Sequence, residues 1–135
     1  MCDLTPTQDL RLALVQSELA WHDPAANRAH FERLLTALGE TDLVILPEMF
    51  TTGFSMESAT LAEPADGPTA AWMSEQAQRL GAVVTGSLIV RDAAGQHRNR
   101  LLWRRRMASC STTTSAICFA WPASTSITRP ALSGG

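Results

Sequence analysis

The sequence predicts an α/β fold in which an open sheet is covered by amphipathic helices. Three observations predict it. Residues 43–46, Leu-Val-Ile-Leu, form a continuous apolar run with two β-branched members, the pattern of a strand covered on both faces. Residues 23–39 and 68–80 carry apolar side chains at three-to-four spacing between punctuating prolines and glycines, the pattern of helices packed on a sheet. Strand and helix patterns alternate along the chain, which makes a βαβ unit with its crossover helix.

Taken in order, residues 1–8 read as a lead-in, and residues 10–16 alternate well enough for a first strand, expected to lie centrally in the sheet. Asp23-Pro24 is a helix start, with Asp as cap and Pro at the first helical position, where its missing N–H costs nothing. Phe31, Leu34, Leu35 and Leu38 make one stripe for the core, and Gly39 is placed to end the helix in the left-handed conformation. After the 43–46 strand, Pro47 ends the ladder, having no N–H to give, and Glu48 follows it. Residues 51–67, with Gly53, Pro64, Asp66 and Gly67, read as an irregular loop over the strand ends. Pro68 opens a helix that runs to Leu80 and stops at Gly81, with Trp72, Met73, Ala77 and Leu80 as its core side. Residues 82–90 are the next strand, residues 92–95 a turn, and residues 98–103 its antiparallel return.

Composition narrows the function. With 135 residues there is room for one domain and one modest core. An apolar fraction of 45% and a charged fraction of 18% are those of a globular protein, and no run is long enough to span a bilayer. The first residues lack a basic segment and an apolar core, so no signal peptide is read and a cytoplasmic address is expected. A net charge of −2 gives no broad basic face for nucleic acid. Cys2, Cys110 and Cys118 form no metal-like cluster, and His22, His30 and His97 lack ligand spacing, so neither a metal nor a cofactor is expected.

Glu48 is the candidate catalytic residue. In open α/β sheets ligands bind beyond the carboxyl ends of the strands, where an acid following the 43–46 strand would stand. On strand and proline alone an exposed surface acid is the simpler reading, since charged side chains are mostly outside. The block Leu46-Pro-Glu-Met-Phe50, followed by Thr-Thr-Gly-Phe-Ser-Met, resembles the first signature of the nitrilase (carbon–nitrogen hydrolase) superfamily, in particular its omega-amidase-like branch. Further similarity lies at residues 12–16, at Trp21 with residues 24–27, at Gly86-Ser87 and at residues 99–103, so that it covers about residues 10–103. The resemblance implies the N-terminal portion of a nitrilase-like α-β-β-α sandwich, incomplete here. It also implies a Glu-Lys-Cys triad with Glu48 as general base, a small amide as substrate, and a homodimer as the family's assembly.

Two members of that triad have no counterpart. The chain has no lysine, all eleven basic residues being arginine. An arginine's planar fork is a poor stand-in for an ammonium at a tight site. Cys118, in Ile-Cys-Phe-Ala-Trp-Pro, only superficially resembles the nucleophile block, because the Asp and Arg of that block are missing and no lysine motif precedes it. Arg104, Arg105 and Arg106 without interleaved aromatics make a weak nucleic-acid signal, and the Ser and Thr residues at 111–115 read as linker composition.

The resemblance stops near residue 104, and no Asp or Glu occurs after Asp92. Reading the third base of each codon with the first two of the next gives an alternative protein constrained by the residues written here. In that frame residues 105–108 permit Pro-Asp-Gly. Residues 112–125 permit Tyr-Asp-Lys-Arg-His-Leu-Phe-Arg-Met-Ala-Gly-Glu-His, which resembles the family's second signature, including its lysine. Met107 and Trp121, each with a single codon, still give the family-like residue. The expectation is therefore a partial carbon–nitrogen hydrolase domain at 1–103 and an out-of-frame, disordered tail at 104–135, the frame slipping between residues 103 and 105. A chain so shortened would leave a sheet edge and apolar surface uncovered and would be poorly soluble.

Overall fold

The computed structural model describes residues 9–105 and, by backbone alone, residues 116–120. Described strands and helices run β1 (Leu12–Leu14), α1 (Pro24–Thr36), β2 (Leu43–Ile45), α2 (Ser58–Leu61), β3 (Glu63–Pro64), α3 (Pro68–Leu80), β4 (Val83–Arg91), β5 (His97–Arg104) and β6 (Ala116–Ala120). They form one six-stranded sheet in the order β1-β2-β4-β5-β6, with β3 joined to β4 beside that path. β1, β2 and β4 are parallel, β5 and β6 antiparallel to their neighbours. The fold is mixed α/β, as the helical and strand periods predict.

The helix punctuation works as capping chemistry requires. Asp23 accepts the Ala26 N–H at 3.0 Å and Pro24 occupies the first turn of α1. At α3, Glu63 reaches forward from β3 and accepts the Thr69 N–H at 3.0 Å, and Gly81 ends the helix at φ 63°. The β4–β5 turn closes on Gly95 at φ 78°, with Asp92 accepting the N–H groups of Ala94 and Gln96 at 3.0 and 2.9 Å.

The core lies between one face of the sheet and helices α1 and α3. Phe31, Leu35, Ala70, Met73 and Ala77 meet Val44, Leu46, Val84, Leu88, Val90 and Leu102, and Phe50 closes the cluster from the loop after β2. Gly86 is required there, because a Cβ on it would stand 3.0 Å from both Leu46 Cβ and Phe50 Cδ1.

Several sequence expectations need correction. β1 is the edge strand among the described residues, pairing only with β2. Its apolar residues fall on both faces, which reads as double burial, yet only Ala13 and Val15 pack against the core, and Leu10, Leu12 and Leu14 stand exposed. Helix α1 ends at Thr36 on a right-handed Ala37, not at Gly39. The Ala37 N–H donates to the Leu34 carbonyl at 3.2 Å and the Leu38 N–H to the Leu35 carbonyl at 3.1 Å, a tightened last turn that satisfies the final carbonyls without a left-handed residue. In the α1 stripe Leu34 is exposed and Asn27 takes a buried place instead. The 51–67 segment is not wholly irregular, since it holds the single turn α2 and the short strand β3. In the tail, residues 116–120 pair as β6 with β5, Arg100 opposite Cys118, while residues 106–115 and 121–135 lie outside the described residues.

Candidate active site

Glu48 stands where the sequence places it, just beyond the carboxyl end of β2. The ladder persists one residue past the strand, the Leu46 N–H donating to Thr85 at 2.8 Å, and Pro47 then has nothing to donate. The backbone reverses immediately after Glu48, with Met49 at φ 49°. A left-handed residue with a side chain costs about 1–2 kcal/mol, so the surroundings must hold it. They do so with Ser87 on β4, whose hydroxyl accepts the Met49 N–H at 3.0 Å, and with Thr52 and Gly53, whose N–H groups donate to the Met49 carbonyl at 3.2 and 2.9 Å.

The carboxylate itself is held from β5. Asn99 Nδ2 donates to Glu48 Oε1 at 2.8 Å across 51 residues of sequence. Asn99 is 9% exposed, and its Oδ1 is buried without a partner among the described residues. An unpaired buried acceptor costs about 1–3 kcal/mol, so a side chain chosen only for packing would not be polar here. Neither Asn99 nor Ser87 is nominated as a site residue by sequence reasoning, although both fall in family-like blocks. Ser87 is a polar residue in a mostly apolar strand, which is a signal, whereas Asn99 stands between two arginines and carries none of that kind.

The sheet register places these groups on the face turned away from the helices. Asn99 lies beside Ile89, which shares its side of β4 with Ser87 and Thr85, and Thr85 lies beside Ile45 and so beside Leu14. Glu48 is exposed on that side, as is much of the apolar surface of β1.

The loop after Glu48 is strapped to the segment before α1. Asn27 is buried and uses its whole amide: Nδ2 donates to the carbonyls of Ala20 and Thr51 at 2.7 and 2.6 Å, and Oδ1 accepts the Ala20 N–H at 2.8 Å. The His22 N–H donates to the Thr52 carbonyl at 3.0 Å, and Gly53 passes so close to Trp21 that a Cβ would meet Cε3 at 2.8 Å. His22 Nε2 lies 2.6 Å from Ser55 Oγ, and its Nδ1 lies 3.5 Å from Glu57 Oε2. That order matches a serine–histidine–carboxylate relay, but Ser55 is 2% exposed and its oxygen also accepts the Glu57 N–H, so the hydroxyl fastens the loop and does not face a substrate.

The other sequence candidates are dispersed. His30 bonds Ser17 at 2.6 Å and His97 bonds Ser58 at 3.0 Å, and the described residues hold no cluster of three His, Cys, Asp or Glu side chains fit for a metal. An open hollow of about 510 Å³ lies past the carboxyl end of β1, lined by Ser17, Leu19, Asn27, His30 and Arg33 among others, and Glu48 is not part of its wall. Cys118 lies on β6 by its backbone, whereas Cys2, Cys110, Arg106 and residues 111–115 lie outside the described residues. No described helix is long and apolar enough to cross a membrane.

A mixed α/β sheet with a carboxylate beyond its second strand, held by a cross-strand side chain, sets the class of fold, and comparison makes the family specific. Residues 11–109 match the carbon–nitrogen hydrolase family, and the chain belongs to that family. It is 38% identical over 93 residues to the omega-amidase YafV of Escherichia coli K12, an alignment covering 69% of this chain and 36% of that protein. The crystal structure of XC1258 from Xanthomonas campestris, a CN-hydrolase superfamily protein with an arsenic adduct in its active site, superposes with a TM-score of 0.70 at 53% identity, over 73% of this chain and 37% of that one. Nit3 of Saccharomyces cerevisiae, of the nitrilase superfamily, superposes with a TM-score of 0.58 at 22% identity, over 71% of this chain and 40% of that one, and shows the shared fold alone. The chain thus spans about a third of the length of the curated relatives it matches and holds part of the fold.

Proposed function

We propose that this chain is the front part of a thiol amidase that hydrolyses a small linear amide of a dicarboxylic or keto acid, with Glu48 as its general base. The observation that carries the reading is the Glu48 carboxylate beyond β2, in the block Leu46-Pro-Glu-Met-Phe50, fixed by Asn99 at 2.8 Å. In the proposed chemistry the carboxylate takes the proton of a cysteine thiol as the thiolate attacks the amide carbon. It then returns that proton to the departing amine, while a lysine ammonium stabilises the oxyanion. The substrate class comes from the similarity to omega-amidases. The same reading carries a cytoplasmic address and a homodimeric assembly.

In this proposal the chain as written retains the glutamate and neither companion, because it has no lysine and its tail after residue 103 is out-of-frame translation. Resequencing the coding DNA between residues 103 and 105 tests that point, and codons unable to spell the lysine block would remove it. Ammonia release from short amides tests the chemistry: the chain as written is expected to be inert, and the frame-restored product active and silenced by Glu48→Gln. A frame-restored product without amidase activity overturns the reading.

A second reading, a non-catalytic α/β remnant, is favoured by the exposure of Glu48 and by its absence from the wall of the hollow at Ser17 and His30. Turnover by the chain as written, lost in Glu48→Gln, would defeat it.

A further inference from the structure

We propose that Asn99 is a positioning residue for Glu48, holding Oε1 so that Oε2 is the oxygen that carries the proton. The inference rests on the general-base reading of Glu48 and adds which atom works and what aims it. An ionised carboxylate only accepts hydrogen bonds, so the amide must turn its NH2 toward Glu48, and the orientation of Asn99 follows from chemistry. That NH2 engages Oε1 at 2.8 Å, and no described group engages Oε2.

Three features separate this contact from ordinary surface pairing. Asn99 reaches Glu48 from β5 with β4 between their strands, roughly 9–10 Å of sheet, so no local propensity produces the contact. Its strand position is fixed by full pairing with Ile89, and its side chain is nine-tenths buried, so the donor does not wander. The backbone that carries Glu48 is pinned separately, by Ser87 on the same face of β4. One hydrogen bond therefore sets where the segment sits and another sets how its carboxylate points. With Oε1 tied and Oε2 engaged by no described group, the base presents Oε2 from a fixed direction, the condition for taking a thiol proton and delivering it to an amine nitrogen.

The test is nuclear magnetic resonance on the full 135-residue chain labelled with nitrogen-15, which requires no turnover. The side-chain NH2 signals of Asn99 are assigned by their loss in Asn99→Leu. They are expected to move through a single carboxyl titration as pH is raised from about 3 to 7. Glu48→Gln should abolish that movement while the backbone signals of β4 and β5 keep their places. Asn99 signals indifferent to pH, or equally responsive in Glu48→Gln, overturn the proposal. The two readings fail separately. A coupled Asn99–Glu48 pair with an inactive frame-restored product removes the base, and an active product with an uncoupled pair removes the positioning.

Discussion

The two faces of the sheet are built to different rules. On the helix side Phe31, Phe50, Met73, Val84 and Val90 are wholly buried, the aromatic rings of Phe31 and Phe50 meeting edge-on at 5.6 Å. On the other side Leu12 and Leu14 remain 58% and 75% exposed, and the notable contacts are polar: Glu48 with Asn99, Met49 with Ser87. One face carries the stability of the described unit, and the other carries the candidate acid together with apolar surface that nothing described covers. A strand position's worth therefore depends on which side it points to, more than on which residue fills it.

The sharpest way to break that contrast is at the packed face. Phe31→Ala empties a site with no solvent contact and is expected to cost about 3–5 kcal/mol. That is a large part of the roughly 5–15 kcal/mol available to a domain, so denaturant titration should show a greatly lowered midpoint or no folded state. A loss under about 1 kcal/mol would mean that the helix face is not the seat of stability.

Asn27→Leu tests the strap between the packed side and the loop that carries Glu48. It leaves the Ala20 N–H, the Ala20 carbonyl and the Thr51 carbonyl without their partner. Only the Thr51 carbonyl is fully buried, Ala20 being exposed, so about 1–3 kcal/mol is expected. Hydrogen exchange should locate the effect at residues 49–55, with β4 and β5 little changed. Uniform acceleration across the sheet would make Asn27 an ordinary core residue.

Much of the packed side is legible in the sequence and little of the site's detail is. Pro68 and Gly81 bracket α3 because proline and glycine act through their own backbone geometry, and the glycine turn at residue 95 is local in the same way. The buried β2 run and the acid after it are local too, which is why Glu48 could be nominated. The Asn99 contact spans 51 residues and the Asn27 contact to Thr51 spans 24, and no periodicity carries such pairings. The place of β1 was misjudged for a related reason. Leu10, Leu12 and Leu14 mark one face as apolar and Ala13 and Val15 mark the other, and neither set says whether a partner covers it. Gly39 does not end α1 because the helix closes earlier on 3₁₀-type hydrogen bonds that any residue can make.

The open face predicts the opposite of Phe31. Leu12→Ser with Leu14→Ser should change unfolding free energy by only about 0.5 kcal/mol, since exposed side chains bury little on folding. Solubility should rise and binding of a hydrophobic dye should fall, because a contiguous apolar patch is removed. A destabilisation comparable to that of Phe31→Ala would show that this face is covered after all.

The smallest effect lies at the edge where β1 meets β2. Arg11 is bound to Asp42 through its backbone N–H at 2.8 Å and its guanidinium at 3.2 Å, and it also bonds Glu40. The hydrogen bonds from Arg11 hold the Asp42 carboxyl below the usual carboxylate range. A carboxyl that binds its proton less tightly when folded adds stability above its unfolded value of about 4, and that addition is lost as pH falls through the depressed folded value. Asp42→Asn should therefore lower the thermal midpoint slightly at neutral pH and leave it unchanged at acid pH, the two curves merging below about pH 4. The pair is solvent-exposed, so added salt should shrink the gap at neutral pH. A gap that stays constant with pH would mean that the charge on Asp42 adds nothing, and the β1 edge would then be held by its ladder without help from charge.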